Sequence, residues 1–160
     1  LNIFNQIIKN RKGVIILINK WDLVEKDTNT AKEFTEKIRQ KFAPFNDLPI
    51  IFTSAVSKQR IHKVLDTAIE VFQNRKQRIS TSKLNEYMLE VIEEFHPPAK
   101  KGKYIKIKYV TQLPTLAPTF AFFANLPQYI KDPYRRYLEN KLREEYNFTG
   151  VPIQIFFRKK

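Results

Sequence analysis

The sequence predicts an α/β fold in two parts. Residues 1–78 are expected to form a partial parallel sheet with helices, and residues 79–160 an α+β unit in the order α-β-β-α-β. Two short runs that are apolar throughout predict buried parallel strands in the first part. Alternating apolar and polar residues predict a half-buried strand in the second. The polar stretch 73–82, with two arginines and a lysine, marks the boundary between the parts.

Helices and strands alternate in the first part. In chain order we expect a polar-apolar segment, a strand, a helix, a strand and a helix: Leu1–Asn10, Val14–Ile18, Thr30–Phe42, Ile50–Phe52 and Ile61–Phe72. The last helix carries apolar residues at intervals of three and four, a stripe that we expect to cover the sheet. Short connections between such elements predict right-handed parallel crossovers, whose ligands lie at the carboxyl ends of the strands.

The second part begins with a helix and ends with a strand. Its expected elements are a helix over Leu84–Phe95 that two prolines end, strands at Lys103–Thr111 and Thr119–Ala124, a helix from Asp132 and a strand at Pro152–Phe157. In the first of these strands, Ile105, Ile107 and Tyr109 are expected to face inward, whereas Lys106 and Lys108 face outward. The Asp132 side chain is expected to cap the following helix.

The composition favours some classes of function and disfavours others. The net charge is +13, from 29 basic and 16 acidic side chains, which favours polyanions such as RNA as partners. The chain has no cysteine and two distant histidines, so we expect no metal site built from these residues. It contains no apolar run long enough to cross a bilayer and no secretory signal pattern, so we expect a cytoplasmic protein without a membrane span.

Two short motifs follow the two predicted buried strands. Asn19, Lys20, Trp21 and Asp22 come directly after the first. A carboxylate such as that of Asp22 can accept hydrogen bonds from the guanine N1 and N2 donors, a pattern that adenine does not offer. The Lys20 stem can cover the purine face, and Asn19 can tie the loop to neighbouring backbone. Trp21 is expected to pack rather than to take part in chemistry.

The second motif, Thr53, Ser54 and Ala55, follows the second strand. Small residues there let backbone amides approach the guanine O6 atom. Neighbouring parallel strands end at the same edge of a sheet, so the two motifs together predict a guanine pocket. The alternative is an ordinary polar turn between strand and helix.

The chain resembles the EngA/Der family of ribosome-assembly GTPases over nearly its whole length. The resemblance is carried by "VIILINKWDLVEKD" and the TSA tripeptide in the first part, and by "YVTQLPTLAPTFAFFAN", "YRRYLENKLREEYNFTGVPI" and "FFRKK" in the second. It implies the C-terminal half of a P-loop GTPase sheet over residues 1–78 and a KH-like domain over residues 79–160. It also implies GTP and GDP as ligands, Mg²⁺ in the full-length protein, an upstream GTPase domain of the same protein, and the large ribosomal subunit (rRNA and proteins) as partner.

Two parts of this family's GTPase machinery are not recognised in the chain: the phosphate-binding loop, and the switch regions, which are expected upstream of the Asn19–Asp22 motif. A phosphate-binding loop needs two glycines five positions apart followed by lysine, and Gly13, Gly102 and Gly150 cannot supply them. We therefore assign no catalytic residue, and expect these 160 residues not to hydrolyse GTP alone. A half sheet is also expected to expose an apolar edge and to self-associate. The alternative function is a non-catalytic module that binds RNA or the ribosome.

The same three glycines exclude the G-x-x-G loop with which a typical KH module clamps nucleic acid. Contact with RNA is therefore expected from basic residues before and within the first strand of the second part and at the chain end: Lys100, Lys101, Lys103, Lys106, Lys108, Arg158, Lys159 and Lys160. The alternative is that these residues only keep an edge strand soluble. The aromatic residues of the strands are expected to fill the core: Phe120, Phe122, Phe123, Phe156 and Phe157.

Overall fold

A computed structural model describes residues 2–25, 27, 29–42, 45, 47–100 and 102–160. Five α-helices and five strands are assigned in this part of the chain: α1 (Asn2–Lys9), β1 (Ile16–Ile18), α2 (Thr30–Phe42), β2 (Ile50–Phe52), α3 (Ile61–Lys76), α4 (Thr81–Glu94), β3 (Ile107–Gln112), β4 (Thr119–Ala124), α5 (Asp132–Glu145) and β5 (Gln154–Lys159). Short 3₁₀ turns occur at Trp21–Leu23 and Pro127–Tyr129.

The predicted fold class is confirmed. β1 and β2 pair in parallel, with Ile16 beside Ile50 and Ile18 beside Phe52. In the second sheet β3 pairs antiparallel with β4, and β4 pairs parallel with β5. The order α4-β3-β4-α5-β5 is the predicted α-β-β-α-β arrangement.

The chain forms two compact units. The first contains Leu1–Arg75 together with Phe148–Pro152, and the second contains Lys76–Asn147 and Ile153–Lys160. The compact units are defined by contacts between residues and are not continuous in sequence. The division into domains at residues 1–78 and 79–160 stays a prediction.

The segment Phe148–Pro152 joins the first unit through backbone hydrogen bonds. Val14 N–H donates to Gly150 O at 2.8 Å, and Gly150 N–H donates to Asp47 O at 3.0 Å. Gly150 has a φ of +74°, a left-handed conformation that favours glycine. A Cβ at this position would lie 2.9 Å from Val14 O, so the close approach also requires glycine.

The apolar stripe of α3 does not cover the sheet, so that prediction is wrong. Leu65 is 59% exposed and Ile69 57%, whereas Val71 is 5% exposed. The helix is turned so that Val71 packs against Gly13 and Gly150, where a side chain on either glycine would collide with its methyl groups. A sheet of two short strands is too narrow to cover the whole stripe. The first strand is likewise less buried than predicted, with the Leu17 side chain exposed.

The core of the second unit lies between its sheet and its two helices. Its largest side chains with less than 2% exposure come from all these elements: Leu84, Met88, Val110, Phe120, Phe122, Leu138 and Leu142. The prediction that aromatic residues fill the core is confirmed for Phe120 and Phe122. It is wrong for Phe156, which lies on β5 and is exposed.

Two local predictions in the second unit are also wrong. A register irregularity between Ile107 and Tyr109 breaks the expected alternation, so that Val110 is buried and Tyr109 is only half-buried. At the start of α5, the cap position is Lys131, and no side chain caps it. Asp132 instead lies in the first turn and pairs with Arg135 at 2.9 Å.

None of the helices in the described ranges has the length and apolarity to cross a membrane.

Candidate functional site

The loops that follow β1 and β2 are joined by three hydrogen bonds. Thr53 N–H donates to Ile18 O at 2.8 Å, and Trp21 N–H donates to Thr53 O at 3.0 Å. Ala55 N–H donates to the Asn19 side-chain oxygen at 3.3 Å. These bonds place the Asn19–Asp22 loop beside Thr53–Ala55 at the carboxyl ends of two parallel strands, where open α/β sheets bind their ligands.

The buried Trp21 side chain anchors the first loop to β2 and α2. Its side chain is 4% exposed, and its ring centroid lies 4.3 Å from that of Phe52 and 5.5 Å from that of Phe34. The prediction that Trp21 packs in the interior is therefore confirmed. Residues on either side of a buried anchor are held in fixed positions, and these are Lys20 and Asp22.

The predicted guanine-binding residues divide into exposed and buried ones. Asn19, Lys20, Asp22 and Ala55 are exposed, whereas Thr53 and Ser54 are buried. Lys20 has a φ of 57°, a left-handed conformation that initiates the short turn containing Asp22. The Ser54 hydroxyl accepts a hydrogen bond from Ser57 N–H at 3.2 Å. Thr53 and Ser54 thus shape the second loop, and Ala55 presents its surface.

A further carboxylate orders the helix that contacts Trp21. Asp27 Oδ1 accepts hydrogen bonds from the Thr30 hydroxyl and from the N–H groups of Asn29 and Thr30, each at 2.8 Å. These donors lower the pKa of the Asp27 carboxyl from its ordinary value, and the Thr30 hydroxyl has the largest effect. They fix the start of α2, which carries Phe34 against Trp21. Sequence reasoning missed this contribution.

The predicted RNA-contacting residues are exposed wherever the structure describes them. Lys100, Lys103, Lys106 and Lys108 lie before and within β3, and Arg158, Lys159 and Lys160 end the chain. Lys101 lies outside the described residues. Reciprocal backbone hydrogen bonds of 3.1 and 3.0 Å join Lys100 and Lys103 in a tight turn.

The structure brings the chain end close to β3. Lys160 Nζ lies 5.6 Å from the ring centroid of Tyr109, and this ring stacks on Phe123 at 4.4 Å. Lys159 lies beside Ala124 of β4, whose other neighbour is Ile107. The basic residues of the chain end and of β3 therefore share one end of the sheet.

Comparison with known proteins identifies the family. Residues 78–158 match the family described as "KH-domain-like of EngA bacterial GTPase enzymes, C-terminal". The chain belongs to the EngA/Der family. "GTPase Der" of Flavobacterium johnsoniae is 64% identical over 152 residues, which are 95% of this chain and 35% of that protein. "GTPase Der" of Bacteroides fragilis is 60% identical over 162 residues, covering 100% of this chain and 37% of that protein.

The chain thus spans about a third of the length of these curated EngA/Der relatives. These relatives are named as GTPases, and the match to the C-terminal KH-like family agrees with the α-β-β-α-β unit described above. The predicted membership of the EngA/Der family is confirmed.

Sequence reasoning missed Tyr104 as a surface residue. Its side chain is 84% exposed. The sequence pattern could have indicated this, because Tyr104 lies two and four residues from Lys106 and Lys108 and so falls on the same outer face of an extended segment. Asn125, which fixes the backbone around Tyr104, carried no signal in the sequence.

Proposed function

We propose that this chain is the guanine-recognising and KH-like part of a GTP-binding protein that acts in the cytoplasm in assembly of the large ribosomal subunit. The observation that carries the proposal is the pair of loops joined by three hydrogen bonds, in which Lys20, Asp22 and Ala55 are exposed. The name of the relatives, "GTPase Der", supports GTP as the nucleotide.

The exposed side chains have the chemistry that guanine requires. The Asp22 carboxylate accepts hydrogen bonds from the guanine N1–H and N2–H groups, and an unpaired carboxylate disfavours adenine. The aliphatic stem of Lys20 covers one face of the ring. Asn19 holds the Ala55 backbone in place through its 3.3 Å hydrogen bond, so that Thr53–Ala55 closes the O6 side of the pocket.

The phosphate chemistry belongs to residues other than these 160. GTP and GDP fit the donor and acceptor set of the guanine loops, whereas Gly13, Gly102 and Gly150 form no phosphate loop. Mg²⁺, when bound in the full-length protein, neutralises charge on the phosphates. We expect the isolated chain to release no phosphate from GTP, and turnover in a malachite-green phosphate assay would contradict this.

The guanine assignment is tested by titrating fluorescent GDP against the full-length protein and its Asp22→Asn variant. Two hydrogen bonds to a charged acceptor are weakened, so we expect affinity to fall by roughly 30-fold or more. A xanthine nucleotide carries an oxygen where guanine has its amino group, and should regain affinity with the asparagine amide. Glu25→Gln, which changes an exposed acid three residues after Asp22, is the matched control. Unchanged GDP binding by Asp22→Asn would refute the assignment.

The alternative is a non-catalytic module that binds RNA or the ribosome, with the first unit as scaffold. The exposed lysines at one end of the second sheet favour it. The two functions differ in one measurement, because the alternative expects ribosomal particles to bind equally with and without guanine nucleotide. Co-sedimentation of the full-length protein with large ribosomal subunits, in the presence of GTP, GDP or neither, separates them.

The exposed apolar face of the first unit supports a partner there. Leu65, Ile69 and Phe72 on α3 and Leu17 on β1 are between 47% and 59% exposed. We propose that the upstream part of the GTPase domain covers this face in the full-length protein, and that the chain alone self-associates. Light scattering after size exclusion should then give a mass above 19.1 kDa, and a monodisperse monomer would contradict self-association.

A further inference from the structure

A groove in the second unit lies between the end of α4 and the extended segment that leads into β3. It encloses about 710 Å³. One wall comes from α4 and the residues after it, and the other from the strand side: Leu89, Ile92, Glu93, His96 and Pro97, facing Tyr104, Ile105, Lys106, Ile107 and Lys108. Its floor is apolar and its rims are polar, which is the usual construction of a ligand site.

Tyr104 is held at the mouth of this groove on an ordered backbone. The Asn125 amide donates to Tyr104 O at 3.1 Å, and the Asn125 side-chain oxygen accepts from Lys106 N–H at 2.8 Å. Ile105 between them is 5% exposed and anchors the segment in the core. The tyrosine side chain nevertheless remains 84% exposed. The fold therefore presents a flat aromatic ring to solvent from a fixed position.

The two walls have different chemistry. Lys106 and Lys108 on the strand side are exposed cations. On the helix side, His96 Nδ1 lies 2.6 Å from Ile92 O, and since a carbonyl only accepts, Nδ1 carries a proton. With Nδ1 donating in this way, Nε2 is the acceptor in the neutral tautomer of the ring, beside the acceptor oxygens of Glu93. Acceptors on one wall thus face cations on the other, with an aromatic ring at the rim.

We propose that this groove binds one unpaired nucleotide of a single-stranded RNA. The base stacks on Tyr104, its exocyclic amino group donates to Glu93 or His96, and the flanking phosphates contact Lys106 and Lys108. The inference rests on the proposed role in ribosome assembly and on the RNA contact expected of the basic residues around β3. A duplex hides its base faces, so it does not fit the site. An acidic peptide fits less well, because Glu93 repels carboxylates.

The test is fluorescence anisotropy of a labelled oligoadenylate titrated with the full-length protein. Tyr104→Ala should weaken binding about fivefold or more, since fivefold is the lower end of the range expected when one base–aromatic stack is lost. Tyr104→Phe keeps the ring and should bind normally. Lys106→Ala should weaken binding and reduce its salt dependence. Uracil has no exocyclic amino group, so oligouridylate should bind more weakly, and Glu93→Gln should reduce this difference.

Matched controls lie on exposed positions of the same unit outside the groove. Leu116→Ala removes a side chain that is 78% exposed, and Lys83→Ala removes an exposed cation from the start of α4. Both should leave RNA affinity unchanged. Circular dichroism should show every variant folded, because each altered side chain is exposed or lies on a rim.

The outcomes separate this inference from the function on which it rests. Absence of RNA binding by the wild-type protein would overturn the groove and the expected RNA contact, whereas the guanine assignment stands or falls with the GDP titration. RNA binding that Lys106→Ala weakens but Tyr104→Ala does not would overturn the groove and leave RNA contact in place. Equal competition by duplex RNA would also overturn the groove. Tighter binding of a glutamate-rich peptide, with the same dependence on Tyr104, would assign the groove to a protein partner instead.

Discussion

The contact between Trp21 and Phe52 should control the stability of the first unit and the order of the two loops of the candidate guanine site. Phe52 ends β2, is 7% exposed and places its ring centroid 4.3 Å from that of Trp21. The Phe52→Ala substitution removes the ring against which the first loop rests. Truncation of a buried phenylalanine costs about 3–5 kcal/mol, because lost burial adds to an unfilled cavity.

Phe34→Ala is the matched control, since the same ring type contacts the same tryptophan from α2. Phe34 is 39% exposed and meets Trp21 edge-on at 5.5 Å. Less apolar area is buried there and water can enter the space left behind, so the expected cost is about 1–2 kcal/mol. The structure therefore predicts a clear order between two chemically identical substitutions.

Trp21 is the only tryptophan in the chain, so its fluorescence reports on the first loop. Urea unfolding followed by this fluorescence gives the free energy of unfolding of the surroundings of Trp21 for each variant. If Phe52→Ala leaves the unit unfolded in buffer, Phe52→Leu supplies a smaller loss that can be measured. Equal costs for the two alanine variants, or a larger cost at Phe34, would refute the proposed anchoring of the loop.

Two further predictions concern backbone strain and pH. Gly150→Ala should destabilise the first unit by about 2–4 kcal/mol in urea unfolding, since it combines a φ of +74° with a Cβ 2.9 Å from Val14 O. Gly102→Ala, at a φ of +71° with open space around it, should cost only about 1–2 kcal/mol. Tyr134 donates to Phe95 O at 2.7 Å, and burial raises the pKa of its hydroxyl above 10.0. The stability that this group contributes is present below about pH 10 and is lost as pH rises, because the unfolded tyrosine ionises first. Tyr134→Phe should cost about 1 kcal/mol at neutral pH and reduce the alkaline loss in urea midpoints, without abolishing it, since two other tyrosines shift in the same direction. An alkaline slope equal to that of the wild type would contradict the role of Tyr134.

The element order could be predicted because it depends on local patterns. The bounds of α2, β2 and β4 agree with the residues predicted for them, at Thr30–Phe42, Ile50–Phe52 and Thr119–Ala124. Each of these has a strong hydrophobic period or run with clear polar or turn residues beside it. Where the residues beside an element give a weaker boundary signal, the observed bounds differ from the predicted ones. For example, β3 begins at Ile107 rather than Lys103.

Features that depend on contacts distant in sequence were not predictable. Nothing near Gly150 in sequence indicates that it accepts a hydrogen bond from Val14. The face of α3 that is buried depends on the two glycines that receive Val71, rather than on the apolar stripe itself. The break in alternation near Tyr109 likewise comes from pairing with β4. Local periodicity gives the type of an element more securely than the partner of its faces.

The candidate guanine site depends on strand register as well as on residue identity. With Ile18 beside Phe52, the residues that follow them meet, and Trp21 N–H reaches Thr53 O at 3.0 Å. A shift of one residue would turn the buried Phe52 to the other face of the sheet and remove the ring that supports Trp21. The burial of Phe52 and Trp21 therefore selects the register that brings Asp22 and Ala55 to the same edge. Packing beneath the loops, rather than the motif residues themselves, sets the geometry of the site.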